Sequence, residues 1–531
     1  MKHSNDSENL QKQGFPMTLN RQASFAYLKT RHSVTFHLGW ATAVACLGTL
    51  QFGYHLSELN ATQLVLSCNQ HFDGPYNSYE DTIWSKLGLK ECLPIEESRL
   101  SIMTTMFTFG GLVASILLGS HTLSSSIGRK VNCIINAGLF FSGSLLMAFA
   151  NSLTVLNVGK FLCGLAAGSS VVISPILVNE LTPVNHRGFL GSFLQLSLAL
   201  GILFSQCLSV WFANDQQWRM IFLVSAGIGF IQFMLLFTIS ESPKWLITIK
   251  NDTRGATNIL TNLRSDKNVI HDEINHWRRL SVHKTPEDLE STPLLEDLSG
   301  DFTPLTPSRS RRGSIDPSSL SLYAFLTNKV YRKELWATMI IMSGNQLCGM
   351  NAITFYGVIF LRNAVPKGTR VLYLTSGLAL CNVLAALLAV PLFNRFGRKP
   401  LLLFSCLVMT LTTLSISIGL VNGFNYFTAA ACLVFILGYS CGIGPLVYMM
   451  VPEFTNHNAI AKAQSFGTVL NWLANIAIAY FFPLLRGVFG GKVFLIFTTI
   501  NITYFILIIL FVPETKSLHN YKDVWNRFKY F

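Results

Sequence analysis

Charge is what this chain has least of. Of 531 residues, 13% are Asp, Glu, Lys or Arg, about half the share of an average soluble domain. With a mean hydropathy of +0.42, a water-soluble globular protein of this length is excluded. Also missing are a GxxxxGK[ST] loop, an HExxH helix and a nucleophile elbow, which removes the commonest motif-borne enzyme chemistries. No enzyme activity, cofactor or metal site is expected. Acidic residues are fewer than basic ones, 27 against 40, a net charge of +13. That excess invites a nucleic-acid reading, but its placement argues otherwise, as shown below. No small-residue cleavage site follows the first apolar run, and that run is too long for a signal-peptide core, so it reads as a helix that stays.

What is present is a series of long apolar segments. A helix crossing roughly 30 Å of hydrocarbon needs about 20 mostly apolar residues. Such segments fall at 36–56, 99–121, 131–150, 153–178, 189–212, 219–239, 334–361, 371–393, 400–421, 426–451, 463–485 and 492–512. Twelve spans, an even number, put both termini on one side. With the termini in the cytosol, most of the Lys and Arg residues fall in cytosolic segments, which is the positive-inside bias. The basicity therefore reports topology; acidic lipid headgroups are a natural partner, nucleic acid is not. Most of the eleven cysteines sit in apolar spans as small hydrophobes. Cys68 and Cys92 instead fall in the long loop 57–98 on the non-cytosolic side, where an oxidising surrounding would permit a disulfide.

The chain divides into a polar tail (1–35), six spans (36–239), a central cytosolic loop (240–333), six further spans (334–513) and a short tail (514–531). The loop begins with apolar spacing suited to short helices. It continues as KTPEDLESTPLLEDLSGDFTPLTPSRSRRGSIDPSS, a Pro-, Ser- and Thr-rich composition typical of disorder. Ser314, after Arg311, Arg312 and Gly313, is a candidate phosphosite, set against a plain solvated linker. The two halves repeat. Gly128-Arg129-Lys130 returns as Gly397-Arg398-Lys399, 269 residues on; Glu180 returns as Glu453, and Glu241-Ser242 as Glu514-Thr515, each 273 residues on. Such a parallel repeat of six helices marks transporters whose halves rock about a midplane site.

The markers SIGRK (126–130), NELTPVNHRG (179–188), ESPKWL (241–246), NQLCGMNAITFY (345–356), NRFGRKP (394–400), VPEF (451–454), NW (471–472) and VPETK (512–516) occur in order, each at a helix end or in a span. In this the chain resembles the sugar porter family of the major facilitator superfamily, in its fungal-type members, from the first span to Lys516. The resemblance implies an all-α major facilitator fold of two six-helix repeats and a sugar- or polyol-carrying transporter working by alternating access, as a facilitator or a proton symporter. It places Gln195, Asn345, Gln346, Asn351, Asn382, Tyr448, Asn471 and Trp472 at the substrate. Uncharged amides and an aromatic face suit a neutral, hydroxyl-rich ligand; a lone Asn in a span is otherwise interhelical glue. It also makes Arg129, Lys130, Glu180, Arg187, Glu241, Arg395, Arg398, Glu453 and Glu514 cytosolic gating charges whose pairs bridge the halves in the outward-facing state. Exposed pairs of about 0–1 kcal/mol each suit a latch between two nearly equal states.

The chain departs from the family at several positions. Asn345 stands where Gln is usual, Tyr448 where Trp is frequent, Ser440 where a Glu is, and Ile460 where the partner of Glu453 would be. The Asp or Asn-Arg usual before the first Gly-Arg-Lys is replaced by Ser125-Ser126. In the first span, His55 occupies the place of the Asp of proton-coupled members, with Glu58 one turn on. Ionisable residues inside a span are functional candidates, and histidine's ordinary pKa lies within physiological pH. His55 and Glu58 are therefore the candidate proton-coupling pair; a plain bonded pair near the wet end of the helix is the alternative. Lys160 is the one cation in the spans that could favour an acidic substrate, and it reads as lying near an interface. Competing functions are transport of another polyhydroxylated metabolite, such as inositol or a quinate-like acid, and a sensor that binds without transport. The membrane is expected to be plasma or vacuolar.

Overall fold

A computed structural model describes residues 35–68, 71–72, 74–76, 78–119, 127–183, 186–264, 267–282, 322–361, 370–456, 459–516 and 524–525. Ser125, Ser126 and Ser314 lie outside them. Among the described residues, regular structure is entirely helical. Six long helices form the first half: α1 (Phe36–Leu66), α2 (Glu97–Gly119), α3 (Arg129–Ala148), α4 (Leu153–Leu181), α5 (Arg187–Phe212) and α6 (Arg219–Leu236). Three short helices follow: α7 (Pro243–Thr248), α8 (Thr253–Leu263) and α9 (Lys267–Val282); α10 (Leu322–Thr327) precedes the second half. There the spans are α11 (Arg332–Leu347) with α12 (Met350–Leu361), α13 (Arg370–Phe396), α14 (Arg398–Asn422), α15 (Asn425–Cys441) with α16 (Ile443–Phe454), α17 (Ile460–Phe489) and α18 (Val493–Phe511).

Nine described stretches are long and apolar enough to cross a membrane. One of them, Ile460–Phe511, holds both α17 and α18. Two spans fall short of that standard: α1, which carries polar residues that turn inward, and the α11–α12 pair, which the break divides into helices of 16 and 12 residues. Helix α1 runs ten residues past the expected end at 56. Its polar last turns, with Ser57, Glu58, Asn60, Thr62 and Gln63, are buried, so interior packing rather than hydropathy carries the helix on. At 31 residues it is about 46 Å long.

Packing repeats like the sequence. In the first half α1 packs on α5, α2 on α4, and α3 on α4 and α6. In the second, α11 packs on α17, α13 on α15, and α14 on α15 and α18. These are the same pairs under the duplication. The halves meet through α2 against α17, α5 against α13, and α1 against α12, an arrangement that a pseudo-two-fold relation maps onto itself. The second half differs in one respect. Where α4 runs unbroken, its counterpart breaks at Gly442. Where α1 runs unbroken, its counterpart breaks at Cys348-Gly349, with Gly349 at φ +103°.

At the end of the bundle away from the Gly-Arg-Lys turns, Cys68 and Cys92 are joined by a disulfide. The loop it closes is fastened to the first half. Gln216 donates to Tyr76 O (2.7 Å) and accepts from Tyr76 N (2.8 Å). Trp218 Nε1 donates to Glu91 O (2.7 Å), and buried Arg219 donates to Ala148 O, Ala150 O and Lys90 O at 2.8–2.9 Å. Replacing Cys68 and Cys92 by Ser is expected to destabilise the first half by ~3 kcal/mol, the order for closing a loop of this length. A lowered melting temperature of the detergent-solubilised protein would show it; an unchanged one would mean the Trp218–Arg219 anchor alone holds the loop.

Candidate functional site: an amide cluster at two helix breaks and a buried ion cluster

The break between α11 and α12 leaves the end of one helix and the start of the next facing the interior, and both carry amides. Gln346 Nε2 donates to Asn345 Oδ1 and Asn471 Oδ1, each at 3.0 Å, and Asn351 Nδ2 donates to Gln346 Oε1. Asn471 Nδ2, from α17, donates to Met342 O (3.0 Å), and Tyr448 OH donates to Asn471 Oδ1 (3.2 Å). Asn345 Nδ2 reaches Ile443 O at 3.1 Å, the first residue after the second break. One short side chain thus ties both breaks together. The second break is also held from α14, where Ser405 Oγ donates to Gly438 O (2.6 Å) and accepts from Ile443 N (3.2 Å). Discontinuous helices meeting near mid-membrane are where transporters of this build place substrate.

Five of the eight substrate candidates, Asn345, Gln346, Asn351, Tyr448 and Asn471, are therefore one bonded group, all from the second half. The other three sit apart. Asn382 accepts from Ser440 Oγ at 2.5 Å, linking α13 to α15. Gln195 is half-buried on α5 and makes none of these bonds. Trp472 packs across the interface: its ring lies 5.9 Å from that of Phe52 on α1 and covers Gly111 of α2, where a Cβ would fall 2.5 Å from ring atoms.

The gating charges form two matching sets, each inside one half. Arg129 Nε pairs with Glu180 at 3.1 Å, and Arg398 with Glu453 at 3.1 Å. Ser242 Oγ donates to Glu180 Oε2 (2.6 Å), as Thr515 Oγ1 does to Glu453 Oε2. Glu241 accepts from the backbone N of Lys130 at 3.0 Å. Glu514 accepts from those of Arg398 and Lys399 at 3.1 and 3.0 Å, so each carboxylate caps the positive end of a helix. Gly128 has extended backbone, φ −60° and ψ 152°. Its need for glycine is space, since a Cβ would lie 2.1 Å from Glu241 Oε2. Gly397, at φ +94°, also needs the left-handed turn. The pairs named here each lie within one half, and Glu453, whose family partner position holds Ile460, pairs with Arg398 of the second Gly-Arg-Lys turn. Arg187 Nε donates to Thr182 O (3.3 Å). Arg395 is exposed against Phe396. Arg264 stands in no motif; it pairs with Glu273 (3.2 Å) and donates to Leu181 O (2.8 Å), tying α9 to the end of α4. Ser242 and Thr515 were visible as members of the repeated markers.

A second cluster lies wholly inside the first half. Glu58 Oε1 is 2.9 Å from His55 Nδ1 and 2.5 Å from Lys160 Nζ, and all three side chains are at most 1% exposed. Lys160 also donates to His55 O (3.2 Å) and stands 5.4 Å from the Phe107 ring centroid. His55 Nε2 meets Ser225 Oγ at 2.9 Å and Ser144 Oγ at 3.3 Å, and the imidazole stacks on Phe140. Lys160 is therefore no interfacial cation, and His55–Glu58 is no pair at a wet helix end. Snorkelling is denied to Lys160 because Glu58 holds it inward from the facing helix. Ser144 and Ser225 were missed, since isolated Ser in a span gives no signal.

Two halves of six spans, with two helices broken in the second half and buried polar clusters in both, define a multi-pass membrane transporter of the major facilitator fold. The profile of the family described as "Sugar (and other) transporter" matches residues 41–523, and the chain belongs to that family, whose members carry solutes rather than catalyse reactions. Over 500 residues it is 33% identical to the "Probable metabolite transport protein YBR241C" of Saccharomyces cerevisiae, covering 94% of this chain and 96% of the relative. It is 31% identical to the "Vacuolar protein sorting-associated protein 73" of the same yeast, covering 92% and 96%. To the mouse "Solute carrier family 2, facilitated glucose transporter member 5" it is 27% identical, covering 91% and 90%. Among solved structures, the inward-open xylose transporter XylE from E. coli is similar with a TM-score of 0.69 at 20% identity, covering 93% of this chain and all of that one.

The ion cluster makes a sharp energetic prediction. Glu58→Gln strands a buried ammonium and Lys160→Met a buried carboxylate, each expected to cost about 3–5 kcal/mol. The double variant removes both charges and should recover most of that loss. Melting temperatures of the three variants form the cycle; strictly additive losses would mean that the two charges do not depend on each other.

Proposed function

We propose that this protein carries a neutral, hexose-like sugar across a membrane by alternating access, with Gln346 at the centre of the substrate site. The observation that carries the reading is the amide group at the two helix breaks. It offers several uncharged donors and acceptors on side chains from α11, α12 and α17, and no formal charge, which suits hydroxyls and disfavours an acid. Lys160, the cation that would have favoured an acidic substrate, is already neutralised by Glu58. Asn382 and Trp472 take their substrate roles only when the halves move, since here they serve other contacts, and Gln195 joins them from α5 of the first half. The Gly-Arg-Lys end faces the cytosol with both termini, by the positive-inside bias, in a plasma or vacuolar membrane. The two matching charge sets brace each half at that end here and bridge the halves in the outward-facing state.

We further propose that transport is coupled to protons at His55. Glu58 and Lys160 balance one another, so the imidazole is the member of the cluster free to change charge, and the fold is shared with a proton:xylose symporter. Uptake into proteoliposomes of D-glucose, D-fructose, D-xylose and myo-inositol, with and without an imposed pH gradient, tests both statements. Gln346→Ala is expected to raise KM about tenfold, the loss of roughly one hydrogen bond to substrate, at unchanged protein level. His55→Asn is expected to abolish gradient-driven accumulation while equilibration persists. Unaltered KM in the first variant would remove Gln346 from the site. Wild-type protein that only equilibrates sugar under a gradient would leave a passive facilitator.

A further inference from the structure

Buried polar side chains are distributed unevenly between the halves. In the first half, Ser169 Oγ of α4 donates to Asn132 Oδ1 of α3 at 3.1 Å, and Asn136 Nδ2 donates to Ser170 Oγ at 3.3 Å. Gln51 Nε2 of α1 donates to Gln232 Oε1 of α6 at 2.8 Å. Gly48 brings these pairs together, because a Cβ built on it would lie 3.2 Å from Ser170 Oγ and 3.3 Å from both Ser174 Oγ and Gln232 Nε2. All these side chains are buried, and Gln51 Oε1 has no hydrogen-bond partner. One turn of α1 past Gln51, about 6 Å along the axis, stands His55, whose Nε2 faces Ser225 and Ser144. The polar groups therefore form a column from the first turn of α3, beside the Gly-Arg-Lys turn, to the imidazole.

The duplication supplies an internal control. Its register is fixed by contacts as well as by sequence. Ser144–Ser225 (3.0 Å) recurs as Thr413–Thr498 (3.0 Å), and Asn136–Ser170 recurs as Ser405 with the backbone of Ile443. In that register Asn132, Ser170, Ser174 and Gln232 become Leu401, Ile443, Val447 and Phe505, all members of the hydrophobic core or packed against it. In the half without a buried histidine these four positions are hydrocarbon, and Ser405, the counterpart of Asn136, stays polar against the backbone of the second break. Polar atoms buried in a membrane span are costly and either tie helices together or line ion paths, and the second half holds the same helix pairs with hydrocarbon at these four positions.

We propose that this column carries protons between His55 and the Gly-Arg-Lys end of the first half, without passing through the sugar site. The inference rests on His55 being the coupling group. In the step, the imidazolium gives the proton on Nε2 to Ser225 Oγ as that hydroxyl passes its own proton to water in the column. The ring becomes neutral, and a hydronium leaves beside Asn132. The groups around the ring are Glu58 and Tyr54 from α1 and Lys160 and Cys163 from α4, while α3 and α6 present Ser144 and Ser225; the Glu58–Lys160 pair stays intact and no other bond changes.

Full-length protein in proteoliposomes with a trapped pH dye, supplied with D-glucose, D-fructose, D-xylose and myo-inositol, gives two readouts: sugar-driven proton flux, and sugar counterflow at equal pH on both sides. Gln232→Leu and Ser174→Val are each expected to cut proton flux at least tenfold while counterflow stays within twofold, and Gln232→Asn to restore the flux. Unchanged proton flux in both apolar variants overturns the proposal and leaves the coupling reading standing. Flux and counterflow that fall together also overturn it, making the column scaffold. Wild-type protein that moves no protons ends the coupling reading and this inference together.

Discussion

Inside a bundle surrounded by hydrocarbon, a polar atom must find its partner within the protein, because no water stands behind it. That constraint explains most of what is unusual here. Helix α1 remains helical well past its apolar run since Asn60 and Gln63 bond across to α12: Asn60 Oδ1 accepts from Val358 N (3.0 Å), and Gln63 Nε2 donates to Phe355 O (3.1 Å). Two breaks in the second half free backbone carbonyls, and Asn345 and Ser405 are placed to take up groups at the second. The Glu58–Lys160 pair is the costliest case, two charges withdrawn from water that persist because each is the other's partner.

The duplication shows how one architecture accommodates two different interiors. Both halves use the same helix pairs and the same capping carboxylates, and both brace their Gly-Arg-Lys turns with a glutamate steadied by a hydroxyl. They diverge inside. The second half breaks two helices and gathers neutral amides at the breaks, while the first keeps those helices whole and buries an ion cluster. The neutral amide group and the buried ion cluster thereby lie in different halves, on either side of the interface at which Trp472 covers Gly111.

Much of this was legible in the chain. Twelve spans follow from hydropathy because the bilayer sets a minimum apolar length, and the repeat follows from markers whose spacing survives in sequence. The amides Asn345, Gln346, Asn351 and Asn471 could be grouped because they lie in motifs shared with a family. What the chain by itself determined is therefore the membrane class, the two-fold organisation and the clustering of neutral amides in the second half, all of which depend on local composition or on periodic spacing. Tertiary structure alone decided the partners. Whether Lys160 reaches a headgroup or Glu58, whether Gly128 serves a turn or makes room for Glu241, and whether Ser144 and Ser225 face lipid or His55 are matters of distance between segments far apart in sequence. Such distances are set only when the helices pack, and in a membrane the energy of a buried polar group depends almost wholly on which neighbour packing brings to it.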